Sequence, residues 1–130
     1  MRIATCRRGQ ETQAIRIDSD GTGALLPWAD VGALLTSADD SDVQWQDLVA
    51  STADEGRVEP DEMEFAPVVA KPSKIVCVGL NYAKNITEMG RELPEFPTLF
   101  AKFPESLIGS ADDIQIPPES DCVDWEAELA

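Results

Sequence analysis

Proline placement constrains this chain before anything else. Pro60, Pro67 and Pro72 fall between Arg57 and Ser73, a stretch otherwise weighted towards acidic residues. Each proline fixes its own φ, lacks an N–H and pushes the preceding residue into extended backbone, so no long helix or central strand can run through. The apolar run Phe65 to Ala70 is expected to be extended. A boundary is placed here, dividing the sequence into a small N-terminal β/α module, residues 1–70, and the beginning of a second, incomplete domain, residues 71–130. A chain of 130 residues can hold one compact domain, or such a module plus the start of a larger one.

Ahead of the boundary the pattern is a β meander. Short strands are expected at Arg2 to Cys6, Gln13 to Ile17 and Gly23 to Leu26, with polar turns at Arg8-Gly9 and Asp18-Ser19-Asp20-Gly21. Asp30 is placed to cap a short helix through Leu35. Ser41 and Gln44 form a capping-box pattern before Trp45, Leu48, Val49 and Thr52, predicting a second helix that ends near Gly56.

Beyond the boundary, Lys74 to Val78 is an apolar run typical of a buried strand, broken by Gly79. A helix over Asn81 to Met89 would carry Tyr82, Ile86 and Met89 on one stripe and Asn81, Asn85 and Glu88 on another, the polar stripe being free to face a site. Gly90 suits a C-cap, Arg91 to Pro97 a loop, and Thr98 to Phe103 a strand. Pro104, Gly109 and Pro117-Pro118 interrupt the remainder.

Charge narrows the partners. With 25 acidic residues, 10 basic ones and no histidine, the formal charge is −15. Such a surface repels nucleic acid and anionic lipid, because phosphate binding needs clustered Lys and Arg. Neither nucleic acid nor membrane is therefore expected as a partner. Hydrophobic residues at 43% and charged residues at 27% fit an ordinary globular protein with a solvated acidic surface. Cys6, Cys77 and Cys122 are far apart and contain no C-x-x-C pair, which fits reduced, buried thiols and a cytoplasmic address. No apolar h-region follows Met1-Arg2, and the run Ile75 to Leu80 is too short to cross a bilayer. Without a secretory signal the glycosylation sequon Asn85-Ile86-Thr87 has no consequence.

The final stretch, Val123 to Ala130, alternates strictly. As a strand it would place Val123, Trp125, Ala127 and Leu129 on one face and Asp124, Glu126 and Glu128 on the other. Same-face neighbours lie roughly 7 Å apart, so three carboxylates in a row repel unless water or a cation compensates them. Oxygen-only donors suit Mg2+ or Mn2+ rather than zinc. By spacing alone, an acidic strand face in water fits as well as a metal site.

Four segments in order carry a more specific signal: Lys74-Ile-Val-Cys-Val-Gly79-Leu80-Asn81-Tyr82, Pro97-Thr98-Leu99-Phe100-Ala101-Lys102, Asp112-Asp113-Ile114 and Asp124-Trp125-Glu126-Ala127-Glu128-Leu129. Together they resemble the fumarylacetoacetate hydrolase family, and residues 1–70 are similar to the small N-terminal module of some bacterial members. The resemblance implies a mixed, β-rich α+β fold with a β-roll-like catalytic domain, homodimeric in the complete enzyme. It also implies Mg2+ or Mn2+ held by two Glu on one strand, matched here by Glu126 and Glu128, and by a later Asp. The metal of such enzymes chelates a 2-oxo or 2,4-dioxo acid and stabilises an enolate. Family reactions include acylpyruvate hydrolysis, oxo-acid decarboxylation and hydroxydienoate isomerisation.

The sequence departs from that pattern in two ways. Family members with the Asn-Tyr motif usually carry a His at the position of Asn85, paired with a Glu at the position of Glu88, and the pair activates water. Asn85 cannot take that proton, because an amide does not titrate near neutral pH. The chain also ends at Ala130, within the expected metal-bearing strand and before the third ligand. Glu88 is left as the surviving half of the base, with Lys102 and Arg91 as candidates to meet a substrate carboxylate. The expectation is the N-terminal portion of a metal-dependent hydrolase, lyase or isomerase, inactive alone. The alternative is a catalytically silent fragment that assembles with a full-length relative or a missing C-terminal part.

Overall fold

The computed structural model describes residues 1–125, 127 and 128. It shows a mixed α+β fold rich in β structure. Strands β1 (Arg2–Arg8), β2 (Glu11–Ile17), β3 (Gly23–Leu25) and β4 (Gly56–Val58) form an antiparallel sheet in sequence order. Two helices, α1 (Val31–Asp40) and α2 (Trp45–Ser51), lie between β3 and β4 in sequence. A hairpin of β5 (Ile75–Gly79) and β6 (Thr98–Lys102) follows, with α3 (Ala83–Glu88) inserted between its strands.

The sheet is packed on both faces because alternate residues of the same strands serve two cores. Cys6, Ile15, Leu25 and Val58 form one cluster, with Ala4, Ile17, Met63 and Phe65 against it. Ala14, Leu26, Leu34 and Val49 form the other, with Trp28, Trp45 and Leu48 supplied from the helical side. Each fully buried Leu, Ile or Val is worth roughly 1.5–3 kcal/mol of transfer free energy, so these clusters dominate the stability of the fold.

The proline-rich stretch lacks long regular structure, as expected, but it is not a free linker. One 3-10 turn forms at Pro60–Glu62, and Phe65 then makes an antiparallel bridge to Cys6. Arg7 N donates to Glu64 O at 2.7 Å and Ala66 N to Thr5 O at 3.0 Å. These bonds cover the outer edge of β1, which would otherwise offer unpaired backbone groups. Buried Thr5 adds a second tie: its hydroxyl donates to Val68 O at 2.5 Å and accepts from Val31 N at 3.1 Å.

Several expectations require correction. Helix α1 runs to Asp40 rather than Leu35, so Ser41 serves as its C-cap and is not available as an N-cap. Gln44 precedes α2 with no side-chain cap bond, and α2 ends at Ser51. Gly56 opens β4 instead of closing a helix. Strand β5 is not buried: Val76 is 61% exposed, and all of β6 is exposed. A two-stranded hairpin has no second layer of its own to cover its faces. Only Cys6 of the three free cysteines is buried, and Cys122 is exposed.

The acidic stretch departs most. Residues 123–125, 127 and 128 carry no strand, and Trp125 is 78% exposed. Alternation supplies the side-chain pattern of a strand, but a ladder needs a neighbour, and no described strand pairs with this segment. Glu126 lies outside the described residues. Among the described residues no helix is long and apolar enough to cross a membrane.

Candidate functional site

Residues 78–97 shape a cleft at one end of the β5–β6 hairpin. Gly79, the last residue of β5, pairs with Thr98, the first of β6, and α3 starts four residues later. Helix α3, the loop of residues 93–97 and the end of β5 enclose a cleft of about 390 Å³. Its lining includes Gly79, Leu80, Asn81, Ile86, Glu95 and Phe96. Apolar walls with few polar groups suit a small ligand whose polar ends need orienting.

Leu80, which lines this cleft, has φ of +53°. A left-handed backbone costs a non-glycine residue roughly 1–2 kcal/mol, and such residues gather where a site must be shaped. The turn re-aims the chain so that Asn81 joins the cleft wall while α3 buries Ile86, which is 1% exposed. The expected apolar stripe is therefore narrower than its spacing implies, since Tyr82 and Met89 are 41% and 54% exposed. Gly90 follows the helix with φ of +69°, where the lack of a Cβ matters, and Arg91 N donates to Ile86 O at 3.1 Å.

Asn85 and Glu88 lie three residues apart on α3 and hence on one face, both exposed and neither lining the cleft. Glu88 Oε1 is 3.8 Å from Lys84 Nζ, an exposed pair of little energetic weight. Arg91 lies three residues after Glu88, past Met89 and Gly90. Lys102 does not join them: it pairs with Ile75 at the opposite end of the hairpin, four residues and about 13 Å from the Gly79–Thr98 end. There its Nζ lies 5.9 Å from the ring centre of Phe100. Glu128 is exposed. Among the described residues no three Cys, Asp or Glu side chains come together as a metal-holding group.

A second polar constellation escaped the sequence reading. Arg7 Nη2 lies 2.5 Å from Asp112 Oδ2, and Arg7 Nη1 donates to Phe65 O at 2.9 Å. Asp112 also accepts from Gly109 N at 2.6 Å. The hydrogen bond from Arg7, then that from Gly109, hold the Asp112 carboxyl below its ordinary value, and Asp112 raises Arg7 in return. The order is the reverse of the usual turn signal, in which an Asp precedes the N–H it bonds, so the sequence offered no sign of this turn. Nothing in the sequence pointed to Arg7 as its partner.

Residues 74–130 match the family described as Fumarylacetoacetate (FAA) hydrolase C-terminal. Oxaloacetate tautomerase FAHD2A, mitochondrial, of Bos taurus is 46% identical over 69 residues, covering 53% of this chain and 22% of the relative. Oxaloacetate tautomerase fahd2, mitochondrial, of Xenopus laevis is 47% identical over 66 residues, 51% of this chain and 20% of the relative. The chain thus spans about a fifth of the length of the curated relatives it matches. A solved structure described as a candidate HpcE protein from Mycobacterium smegmatis superposes with a TM-score of 0.66 at 21% identity, covering 90% of this chain and 41% of that one. At that identity the likeness is one of fold.

Proposed function

Because residues 74–130 belong to the fumarylacetoacetate hydrolase family, we propose that the chain is part of an enzyme acting on small 2-oxo or 2,4-dioxo acids, with keto–enol tautomerisation of a 2-oxo acid as its reaction. The observation that carries this reading is the 46% identity over 69 residues to a protein named an oxaloacetate tautomerase. Acylpyruvate hydrolysis and oxo-acid decarboxylation stand behind it, because each asks more of the residues present.

Tautomerisation moves one proton from the carbon beside the carbonyl to the carbonyl oxygen as the double bond shifts from C=O to C=C, and no carbon–carbon bond is cleaved. It needs a group that can take and return a proton, not a water nucleophile. Glu88 has that capacity, while Asn85 can only hold an oxygen or a water by hydrogen bonding. An absent His is therefore less damaging to a tautomerase than to a hydrolase. Arg91, three residues after Glu88, is the candidate cation for a substrate carboxylate, and Lys102, at the other end of the hairpin, would meet only a longer substrate or a second group.

Glu126 and Glu128 are the residues that would hold Mg2+ or Mn2+, an all-oxygen donor set that fits a hard cation. A bound cation supplies polarisation of the substrate carbonyl. Among the described residues there is no three-donor cluster. A homodimer is proposed for the complete enzyme, and a cytoplasmic address for the chain.

The test is to follow enol and keto forms of oxaloacetate by ultraviolet absorbance with the 130-residue chain, with and without Mn2+. Interconversion faster than in buffer, and lost in Glu88→Gln, supports the reading. Acylpyruvate cleavage without faster interconversion overturns it in favour of hydrolysis. A second reading, a catalytically silent chain that assembles with a full-length relative, draws on the exposure of Val76, Leu99 and Phe103 along the hairpin and its exit. Co-expression and size-exclusion chromatography test it, and a stable, persistently monomeric chain counts against it.

A further inference from the structure

We propose that Arg7 is a positioning residue: through Asp112 it fixes the turn at Gly109, and with it the course of the chain that leads into the acidic segment Asp121 to Glu128. The inference rests on the proposed role of that segment for its functional half, and on geometry alone for its structural half.

The geometry is a closed set of bonds between distant parts of the sequence. Arg7 projects from β1, 105 residues before Asp112, and its guanidinium spans Phe65 O and Asp112 Oδ2. A planar guanidinium offers donors in a fixed fork, so satisfying two acceptors at once sets their separation as a lysine could not. Asp112 is used twice as well, since the same Oδ2 accepts from Gly109 N, while Asp112 N donates to Gly109 O at 3.1 Å. The turn is therefore closed from both sides by one residue.

Packing makes the arrangement specific. Gly109 is buried against the backbone of Phe65, and a Cβ at that position would overlap Phe65 O. Phe65 itself is bridged to Cys6, the neighbour of Arg7. The turn, the extended 64–66 segment and β1 thus stack in order, with Arg7 reaching across all three. Around this contact the segments on either side are exposed: Phe103, Ile114 and Ile116 are 82%, 71% and 64% exposed. Few apolar contacts hold residues 103–116, which leaves polar ties to determine where the segment runs.

Backbone hydrogen exchange of the whole chain, read residue by residue, tests the structural half with Arg7→Met and Asp112→Ala. Exchange at Gly109 N should rise about ten-fold or more in each variant, with no further rise in the double variant, while Ile15 and Leu26 N stay protected. Unchanged exchange at Gly109 in Asp112→Ala, which removes nothing from the sheet, overturns the proposal, even if Arg7→Met unfolds. Arg7→Lys should restore protection only in part, and full restoration overturns the two-acceptor argument. The functional half is read by Mn2+ affinity of the wild-type chain and Asp112→Ala. Weakening of several-fold, with the melting temperature of the sheet unchanged, supports positioning. Binding that is equal in both overturns it while leaving the turn intact, and absence of Mn2+ binding in the wild-type chain counts against the metal reading instead.

Discussion

Asp30 holds Ala70 in place across forty residues, its Oδ2 accepting from Ala70 N at 2.9 Å. Its other oxygen accepts from Ala33 N at 2.7 Å as the N-cap of α1. One buried carboxylate therefore starts a helix and anchors the far end of the proline-rich stretch. Asp30→Ala removes the cap and leaves two N–H groups without partners, for an expected loss of about 2–3 kcal/mol in urea unfolding. Asp30→Asn keeps one acceptor oxygen and should lose only about 1 kcal/mol. Asn serves as well as Asp at an N-cap, so equal losses in the two variants would mean that the cap bond to Ala33 contributes nothing.

The meander was legible because each of its signals is local. Turn residues at Arg8-Gly9 and Asp18 to Gly21 bracket runs of β-formers, and β1 to β3 appear within two residues of their expected places. Helix ends were less so: Ser41 and Gln44 satisfy a capping pattern, yet α1 propagates past Leu35 because Leu34 and Ala38 share one buried side. Packing, absent from a local pattern, sets the length. The acidic alternation at 123–129 shows the limit from the other direction, since a strand is defined by its neighbour as much as by its own residues. In the candidate site, Asn85, Glu88 and Arg91 could be found by motif and spacing. The strained turn at Leu80 and the reach of Arg7 to Asp112 could not, because a Leu gives no sign of left-handed backbone and two residues far apart give none of contact.

Leu80 itself makes a prediction about stability against shape. Asn tolerates the left-handed region well and β-branched residues tolerate it poorly. Leu80→Asn should remain within about 0.5 kcal/mol of wild type despite losing apolar surface, whereas Leu80→Val should lose about 1–2 kcal/mol. Chemical denaturation followed by tryptophan fluorescence reports both. A Val variant as stable as the Asn variant would show that the turn relaxes at little cost.

Acid should act on the sheet through Asp18. Its carboxyl bonds first to Arg16 at 2.9 Å and then to Arg57 at 2.8 Å, and both bonds hold it below its ordinary value. Arg16 is raised in return and stays charged throughout. A carboxylate depressed on folding stabilises the native state above its unfolded value, near pH 4, and the contribution disappears as pH falls through the lower folded value. Melting temperature should therefore fall more steeply with acid, below about pH 4, in wild type than in Asp18→Asn. Parallel curves would mean that the depression does not extend to folding.

The sharpest prediction concerns Asn85. If Glu88 carries the proton of a tautomerisation, Asn85→His adds a second titrating group on the same face of α3 without removing the first. A neutral imidazole of ordinary character would act as a base above about pH 6.5 and be protonated below it. Gains from a positioned general base are on the order of a hundred-fold to ten-thousand-fold for reactions limited by proton removal from water. Acylpyruvate cleavage by Asn85→His should accordingly appear or rise by such a factor, with a limb that increases through pH 6 to 7, while oxaloacetate interconversion changes little. The two assays separate the chemistries, because only hydrolysis needs an activated water. A large gain in interconversion with none in cleavage would instead place the proton transfer of tautomerisation at residue 85 and remove Glu88 from that role.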